Sequence, residues 1–173
     1  MQLWEICWSL FCAWTPKKLI GWRLAWLRLF GAHLEGRPFV HQRARIQRPW
    51  NLTMYDGAAL GDRANAYTQG EVVIGPRATI AQEAYLCSGS HDFDDPVLPL
   101  ITAPVVVEAD AFVGARAFIM PGVTVGEGAI VGAAAVITRD VPAWTVWVGN
   151  PARFLRNREP FTSASGRPDE RAL

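Results

Sequence analysis

Between Val107 and Pro142 the chain repeats a six-residue unit without interruption: VEADAF, VGARAF, IMPGVT, VGEGAI, VGAAAV and ITRDVP. Each block opens with Val or Ile, and the fifth place holds Ala or Val throughout. A unit this short cannot bury an apolar face by itself. Successive units must stack and share one continuous core, which makes the chain a solenoid.

An inner period shows how each block lies. The fifth and sixth residues of one block and the first of the next give Ala111-Phe112-Val113, Ala117-Phe118-Ile119, Val123-Thr124-Val125, Ala129-Ile130-Val131 and Ala135-Val136-Ile137. Neighbouring side chains on a strand point to opposite faces, so each triplet reads as a short strand with its outer two residues inside and its middle one outside. Stretches such as Gly114-Ala115-Arg116 and Gly126-Glu127-Gly128 are turn material. Three strands and three turns close one coil of 18 residues. Phe112 should then stack on Ile130 and Phe118 on Val136, forming outer apolar ladders that call for burial against another subunit.

Backwards from the clear blocks, Ile74, Ile80 and Leu86 keep the six-residue frame, with Ala78 and Ala84 at the fifth places. Met54, Leu60, Ala66 and Val72 keep a weaker frame that slips by two residues before Ile74, and Val40, Ile46 and Leu52 are weaker again. Terminal repeats are often degenerate in this way. Leu86 and Val107 are 21 residues apart, which is not a multiple of six. An insertion of about 88–104 is therefore expected, and it carries Ser90-His91-Asp92-Phe93-Asp94-Asp95-Pro96.

The formal net charge of +1 offers no basic footprint for nucleic acid. Three scattered cysteines suit neither a disulfide framework nor a thiolate metal cluster, and a reducing, cytoplasmic compartment is the natural reading. Residues 1–34 stand apart, with five of the eight tryptophans and the basic residues Lys17, Lys18, Arg23 and Arg28. Thr15-Pro16 reads as a helix start and Gly31 as its stop, with Leu19, Trp22, Trp26 and Phe30 three or four residues apart between them. The run before Pro16 is too short to span a bilayer, and no signal peptide is expected. Such a segment can plug the open end of a solenoid or lie peripherally at the inner face of a membrane. The domain reading is a helical, aromatic segment over 1–34, a solenoid over 35–156 and a flexible tail over 157–173.

Ordered motifs run through the chain: Trp22-Arg23, Leu29-Phe30-Gly31-Ala32, Pro49-Trp50-Asn51-Leu52, Ser88-Gly89-Ser90-His91-Asp92, Pro121-Gly122-Val123, Val131-Gly132-Ala133, Thr138-Arg139-Asp140-Val141-Pro142 and Gly149-Asn150-Pro151-Ala152-Arg153. In this set, from Trp4 to Arg158, the chain resembles the hexapeptide-repeat acyltransferases, and among them the sugar O-acetyltransferases of colanic-acid-type exopolysaccharide synthesis. The resemblance implies an all-β solenoid, a left-handed parallel β-helix with an N-terminal helical cap and a short C-terminal helix or tail. It also implies a homotrimer with active sites between subunits. The handedness comes from the resemblance alone, because crossovers between parallel strands generally favour the right-handed sense.

The implied reaction moves acetyl from acetyl-CoA, as cosubstrate, to a hydroxyl of a sugar or polysaccharide precursor. A hydroxyl is a poor nucleophile at neutral pH and needs a base. The resemblance gives that role to His91: imidazole is the side chain most often used as a general base, and this one sits in the interruption of a regular scaffold. By residue type alone the plainer reading is a loop histidine bonded to backbone or solvent, and only the motif around it favours the base. Asp92 would orient the imidazole or touch the acceptor, and Asp94, Asn65 and Tyr85 would be further acceptor contacts, the alternatives being that Asp94 only caps the turn before Pro96 and that Tyr85 simply packs at its outward strand position. Ala115, Ala133, Thr138 and Arg139 would face the pantetheine arm, with Arg153 and Arg156 near the nucleotide phosphates, where a solvated helix face is the plainer reading. Ala135 stands where relatives have Ser, and Arg139 where Lys is usual. His33 and His41 read as surface or capping residues, no zinc-ligand spacing occurs in the coils, and no metal is required. N-acetylation of an amino sugar and a non-catalytic scaffold remain the alternatives.

Overall fold

The computed structural model describes residues 3–161. Two helices precede the solenoid, α1 (Leu3–Phe11) and α2 (Ile20–Leu29). The first coil holds β1 (His33–Leu34), β2 (Phe39–Val40) and β3 (Arg45–Ile46); the second β4 (Leu52–Met54), β5 (Ala59–Leu60) and β6 (Asn65–Tyr67). The third holds β7 (Val72–Ile74), β8 (Thr79–Ile80) and β9 (Tyr85–Cys87), and then a hairpin of β10 (Gly89–His91) and β11 (Leu100–Thr102) leaves the stack. The fourth coil is β12 (Val105–Val107), β13 (Phe112–Val113) and β14 (Phe118–Ile119), and the fifth β15 (Thr124–Val125), β16 (Ile130–Val131) and β17 (Val136–Ile137). The chain closes with β18 (Thr145–Val148) and β19 (Arg153–Asn157).

Corresponding strands of successive coils pair in parallel and make three walls: β1-β4-β7-β12-β15, β2-β5-β8-β13-β16-β18 with β19 added at its edge, and β3-β6-β9-β14-β17. The result is a left-handed β-helix of about six turns, capped by the helices. Phe112 pairs with Ile130 and Phe118 with Val136, the 18-residue register expected from the repeat. In every two-residue strand of the regular coils the second residue is buried and its predecessor lies nearer the surface, so Leu60, Ile80, Val113 and Val131 form one inner column. Each such side chain removed from water contributes about 1.5–3 kcal/mol. Ala58, Ala64, Ala78, Ala84, Ala111, Ala117, Ala129 and Ala135 fill the tapering corners and are equally buried.

The corners themselves share one conformation. Arg63, Arg77, Glu83, Asp110, Arg116, Ala134 and Trp144 all have φ between 54° and 61°, the left-handed region, and each precedes the small or buried residue that re-enters the core. For L residues this costs about 1–2 kcal/mol apiece. Stacking of these residues offsets part of it: Arg77 pairs with Asp110 at 2.5 Å, and Glu83 with Arg116 at 2.6 Å, from one coil to the next.

The helical segment departs from the expected start at Thr15-Pro16. α2 begins only at Ile20, after Leu19, and Thr15 does not cap it. Its hydroxyl instead donates to Cys12 O and accepts from Arg23, whose buried guanidinium also reaches Pro16 O, Lys17 O and Val40 O. One arginine thereby pins the loop between the helices to the first coil. Gly31, with φ of 88°, does terminate α2. Leu24, Leu27 and Trp4 plug the end of the core, and Trp4 Nε1 donates to Ile46 O. The C-terminal segment is also corrected: Arg153–Asn157 is a strand antiparallel to β18, not a helix. Of the expected tail over 157–173, residues 162–173 lie outside the described residues.

Candidate active site

The departures from an 18-residue coil fall at a single corner, the one between the third wall and the first. Leu34, Met54 and Ile74 are spaced by 20, so each of the first two coils carries two extra residues, and these lie between Ile46 and Met54 and between Ala66 and Ile74. The hairpin β10–β11 is the third and longest extrusion there. A polar seam holds the three together. Arg48 N donates to the buried Thr68 hydroxyl at 2.7 Å, and Asn51 Nδ2 donates to Thr68 O and Gln69 O. Buried Ser88 donates from its hydroxyl to Tyr67 O at 2.6 Å and accepts from Gly70 N at 3.0 Å. Buried polar groups of this kind must be paired, which is why hydroxyls and amides recur at this one corner.

His91 closes β10 opposite Leu100. Its side chain is exposed, and Nδ1 lies 2.5 Å from Leu98 O. A carbonyl only accepts, so Nδ1 carries the proton and the lone pair of the neutral ring sits on Nε2. Leu98 is itself in the left-handed region at φ 50°, between Pro96 and Pro99, and its amide donates to Asp95 O. Asp92 does not orient the imidazole: its Oδ1 accepts from Asp94 N at 3.0 Å, within the loop. Asp95 Oδ1 likewise accepts from Val97 N at 2.8 Å. The orienting group is thus a backbone carbonyl, which residue types cannot reveal; the bracketing prolines were the visible sign of a fixed loop.

Asn65 and Tyr85 are register partners on the outer side of the third wall. The Asn65 side-chain oxygen is buried without a hydrogen-bond partner among the described residues, beside a cavity of about 300 Å³ lined by Trp4, Trp8, Arg45 and Gln47. Tyr85 stacks on Phe118 at 4.8 Å, and burial pushes its hydroxyl pKa up to about 12. Asp94 is exposed on the loop. Ala115 and Ala133 occupy successive coils at the corner between the second and third walls, where Ala134 N donates to Ala115 O. Thr138 and Arg139 lie exposed at the His91 corner, two coils on, with the Arg139 guanidinium 5.5 Å from the Trp147 ring.

Arg153 and Arg156 are both exposed on β19. Three residues apart on a regular strand, they would face opposite ways. A bulge between Val146 and Trp147 changes the count, so Arg153 lies opposite Val148 and Arg156 opposite Val146, and both share the outer side. His33 is exposed beside Glu35, whereas His41 is buried beside the cap, so of the surface or capping reading only the capping half fits it. Cys87 is buried with its Sγ 3.1 Å from Gly89 O, and burial raises its pKa, which keeps it a thiol rather than a nucleophilic thiolate. Among the described residues no group of three or more His, Cys, Asp or Glu is arranged to hold a metal.

The family described as hexapeptide repeat of succinyl-transferase matches residues 104–139. Over 158 residues the chain is 39% identical to a protein of Escherichia coli (strain K12) named "Putative colanic acid biosynthesis acetyltransferase WcaF", an alignment covering 91% of this chain and 87% of that protein. The chain belongs to the hexapeptide-repeat acetyltransferases. Solved structures share the fold, among them two over nine-tenths of this chain. A maltose O-acetyltransferase from Clostridium difficile 630 superposes with a TM-score of 0.80 at 24% identity, covering 91% of this chain and 85% of that one. A hexapeptide-repeat acetyltransferase from Vibrio cholerae O1 biovar eltor, complexed with acetyl coenzyme A, does so with 0.74 at 23%, covering 91% and 86%.

Proposed function

We propose that this acetyltransferase moves acetyl from acetyl-CoA to a hydroxyl of a sugar, in a precursor of an exopolysaccharide, with His91 as general base. The observation that carries this reading is the bond from His91 Nδ1 to Leu98 O, which in the neutral ring puts the lone pair on Nε2 of an exposed, tethered imidazole. The names of the Escherichia coli relative and the Clostridium difficile neighbour, and the acetyl coenzyme A in the Vibrio cholerae structure, support the acceptor and donor classes.

In the step itself, Nε2 takes the proton of the acceptor hydroxyl as its oxygen attacks the thioester carbonyl. The tetrahedral oxyanion collapses with cleavage of the carbon–sulfur bond. The leaving thiolate takes the proton back from the imidazolium, giving an acetyl ester and free CoA thiol. Ala115 and Ala133 would let the pantetheine arm approach the backbone closely, and Thr138 and Arg139 would flank it. Arg153 and Arg156, on one side of β19, would meet the phosphates. Asn65, with its unpaired oxygen, is a fitting contact for an acceptor hydroxyl, and Tyr85 would pack beside it. Asp92 and Asp94 act by shaping the loop.

A homotrimer completes this site. His91 and the pair Ala115 and Ala133 stand at opposite edges of the third wall, so a cleft that includes both needs a second copy. The hairpin also carries Phe93, Val97 and Ile101 exposed at 80%, 82% and 49%, apolar surface that a neighbouring copy would cover.

His91→Ala should lower kcat by about 10²–10⁴-fold, the usual contribution of a positioned base, with acetyl-CoA binding unchanged. Thiol release from acetyl-CoA in the presence of candidate sugars measures this, and near-normal turnover in the variant would overturn the assignment. Mass spectrometry of the product distinguishes an ester from the amide expected of an N-acetyltransferase. No saturable acetyl-CoA binding at all would leave the scaffold reading.

A further inference from the structure

The cap accounts for one side of the helical segment and leaves the other uncovered. Leu10, Phe11, Trp14, Leu19 and Trp22 are exposed at 60%, 42%, 72%, 49% and 48%. Four of them, with Thr15, line a single apolar groove of about 210 Å³. The indole N–H of Trp14 donates to Leu10 O at 2.6 Å and that of Trp22 to Phe11 O at 2.8 Å. Both rings can therefore leave water without stranding a donor, and burying them incurs no unpaired polar group.

The segment that carries this patch is basic, although Lys17 also lines a cavity that includes Asp62 of the solenoid. Lys17 and Lys18 are exposed in the loop between Trp14 and Leu19, Arg28 is exposed on α2, and Glu5 is the one acidic residue from position 3 to position 32. The loop is also held in shape, since Arg23 binds the Thr15 hydroxyl and the carbonyls of Pro16 and Lys17. Ordering it on a partner thus loses little conformational entropy. Tryptophans with satisfied N–H groups beside exposed lysines suit the boundary between headgroups and acyl chains. The rings enter the boundary while the ammonium groups meet lipid phosphates.

We propose that this face of the cap docks the enzyme on an anionic lipid bilayer. No helix among the described residues is long and apolar enough to cross one, so the attachment is peripheral. In a three-fold assembly rotation preserves height along the axis, so the three patches would face one way and bind together with increased avidity. That multiplication rests on the trimer; the patch on one chain does not.

The test is co-flotation of the full chain with vesicles of phosphatidylethanolamine and phosphatidylglycerol, against vesicles of phosphatidylcholine alone, at low and physiological salt. Binding to the anionic vesicles is expected, weakening at least tenfold in Trp14→Ser/Leu19→Ser and in Lys17→Glu/Lys18→Glu. Turnover of a soluble acceptor should stay unchanged in both variants, and melting temperature should stay unchanged in Trp14→Ser/Leu19→Ser; in the lysine variant it is not the control, because Lys17 also acts on His41. The proposal is overturned if the unaltered chain stays off both kinds of vesicle, or if Trp14→Ser/Leu19→Ser binds as well as it does. Sedimentation velocity that shows the patch pairing two assemblies in solution, with no vesicle binding, would also overturn it and assign the face to a second copy. The readout is vesicle partition, so it stands or fails independently of acetyl transfer.

Discussion

At the scale of the residue, the chemistry depends on one backbone carbonyl. His91 could be picked out in the sequence because it lies in the one large interruption of the repeat within a motif that resembles the family's base. Its tautomer could not, because the partner of Nδ1 is Leu98 O, a group every residue type offers. What fixes that carbonyl is the left-handed conformation of Leu98. Leu98→Pro cannot adopt a positive φ and should displace the carbonyl, lowering kcat by about 10²-fold with little change in the KM for acetyl-CoA. Leu98→Gly keeps the conformation available and should retain most activity. Steady-state kinetics on the pair separates positioning of the ring from mere loss of an apolar side chain. Equal loss in both variants would rule out the carbonyl as the orienting group.

At the scale of the element, the repeat made the strands legible and left the corners dark. The alternation of Ala-Phe-Val and Ala-Ile-Val is enough to say which side chains are inside. Nothing in Arg63, Glu83 or Arg116 says that each must take a left-handed φ, since that demand comes from closing a coil within a few residues. Ala134→Gly removes such a cost without altering a packed side chain, and should raise stability by roughly 0.5–1 kcal/mol once the greater freedom of glycine in the unfolded chain is set against it. Denaturant unfolding of the variant checks this; a fall in stability would mean that the Ala134 methyl is packed in the assembly. The same limit explains β19. Arg153 and Arg156 at a spacing of three suit a helix, and a strand unites them only through the bulge opposite Val146 and Trp147, a feature of pairing rather than of local sequence.

At the scale of the whole molecule, the joint between cap and solenoid decides how the protein answers acid. His41 is buried at that joint, and its Nδ1 accepts from Arg43 N, so it holds no proton for Asp62 Oδ1 at 3.2 Å. Burial lowers the His41 pKa below its ordinary value, and nearby Lys17, Arg43 and Arg23 act in the same direction against Asp62. As pH falls through about 6.5, the unfolded chain takes up this proton before the native one does. Stability present above that pH is then lost progressively down to the native pKa. Melting temperature should fall over this window, and His41→Gln should flatten the fall; an unchanged slope would remove His41 from the account. By itself the sequence determined the solenoid, its 18-residue register, the buried and exposed side of each strand and the location of His91, because all of these follow from periodicity. Only the tertiary structure decided where the breaks in that period collect, because pairing from coil to coil brings Arg48, Thr68 and Ser88 to one corner from residues some 20 apart. It also decided which nitrogen of His91 is free, because that follows from a contact across the hairpin loop.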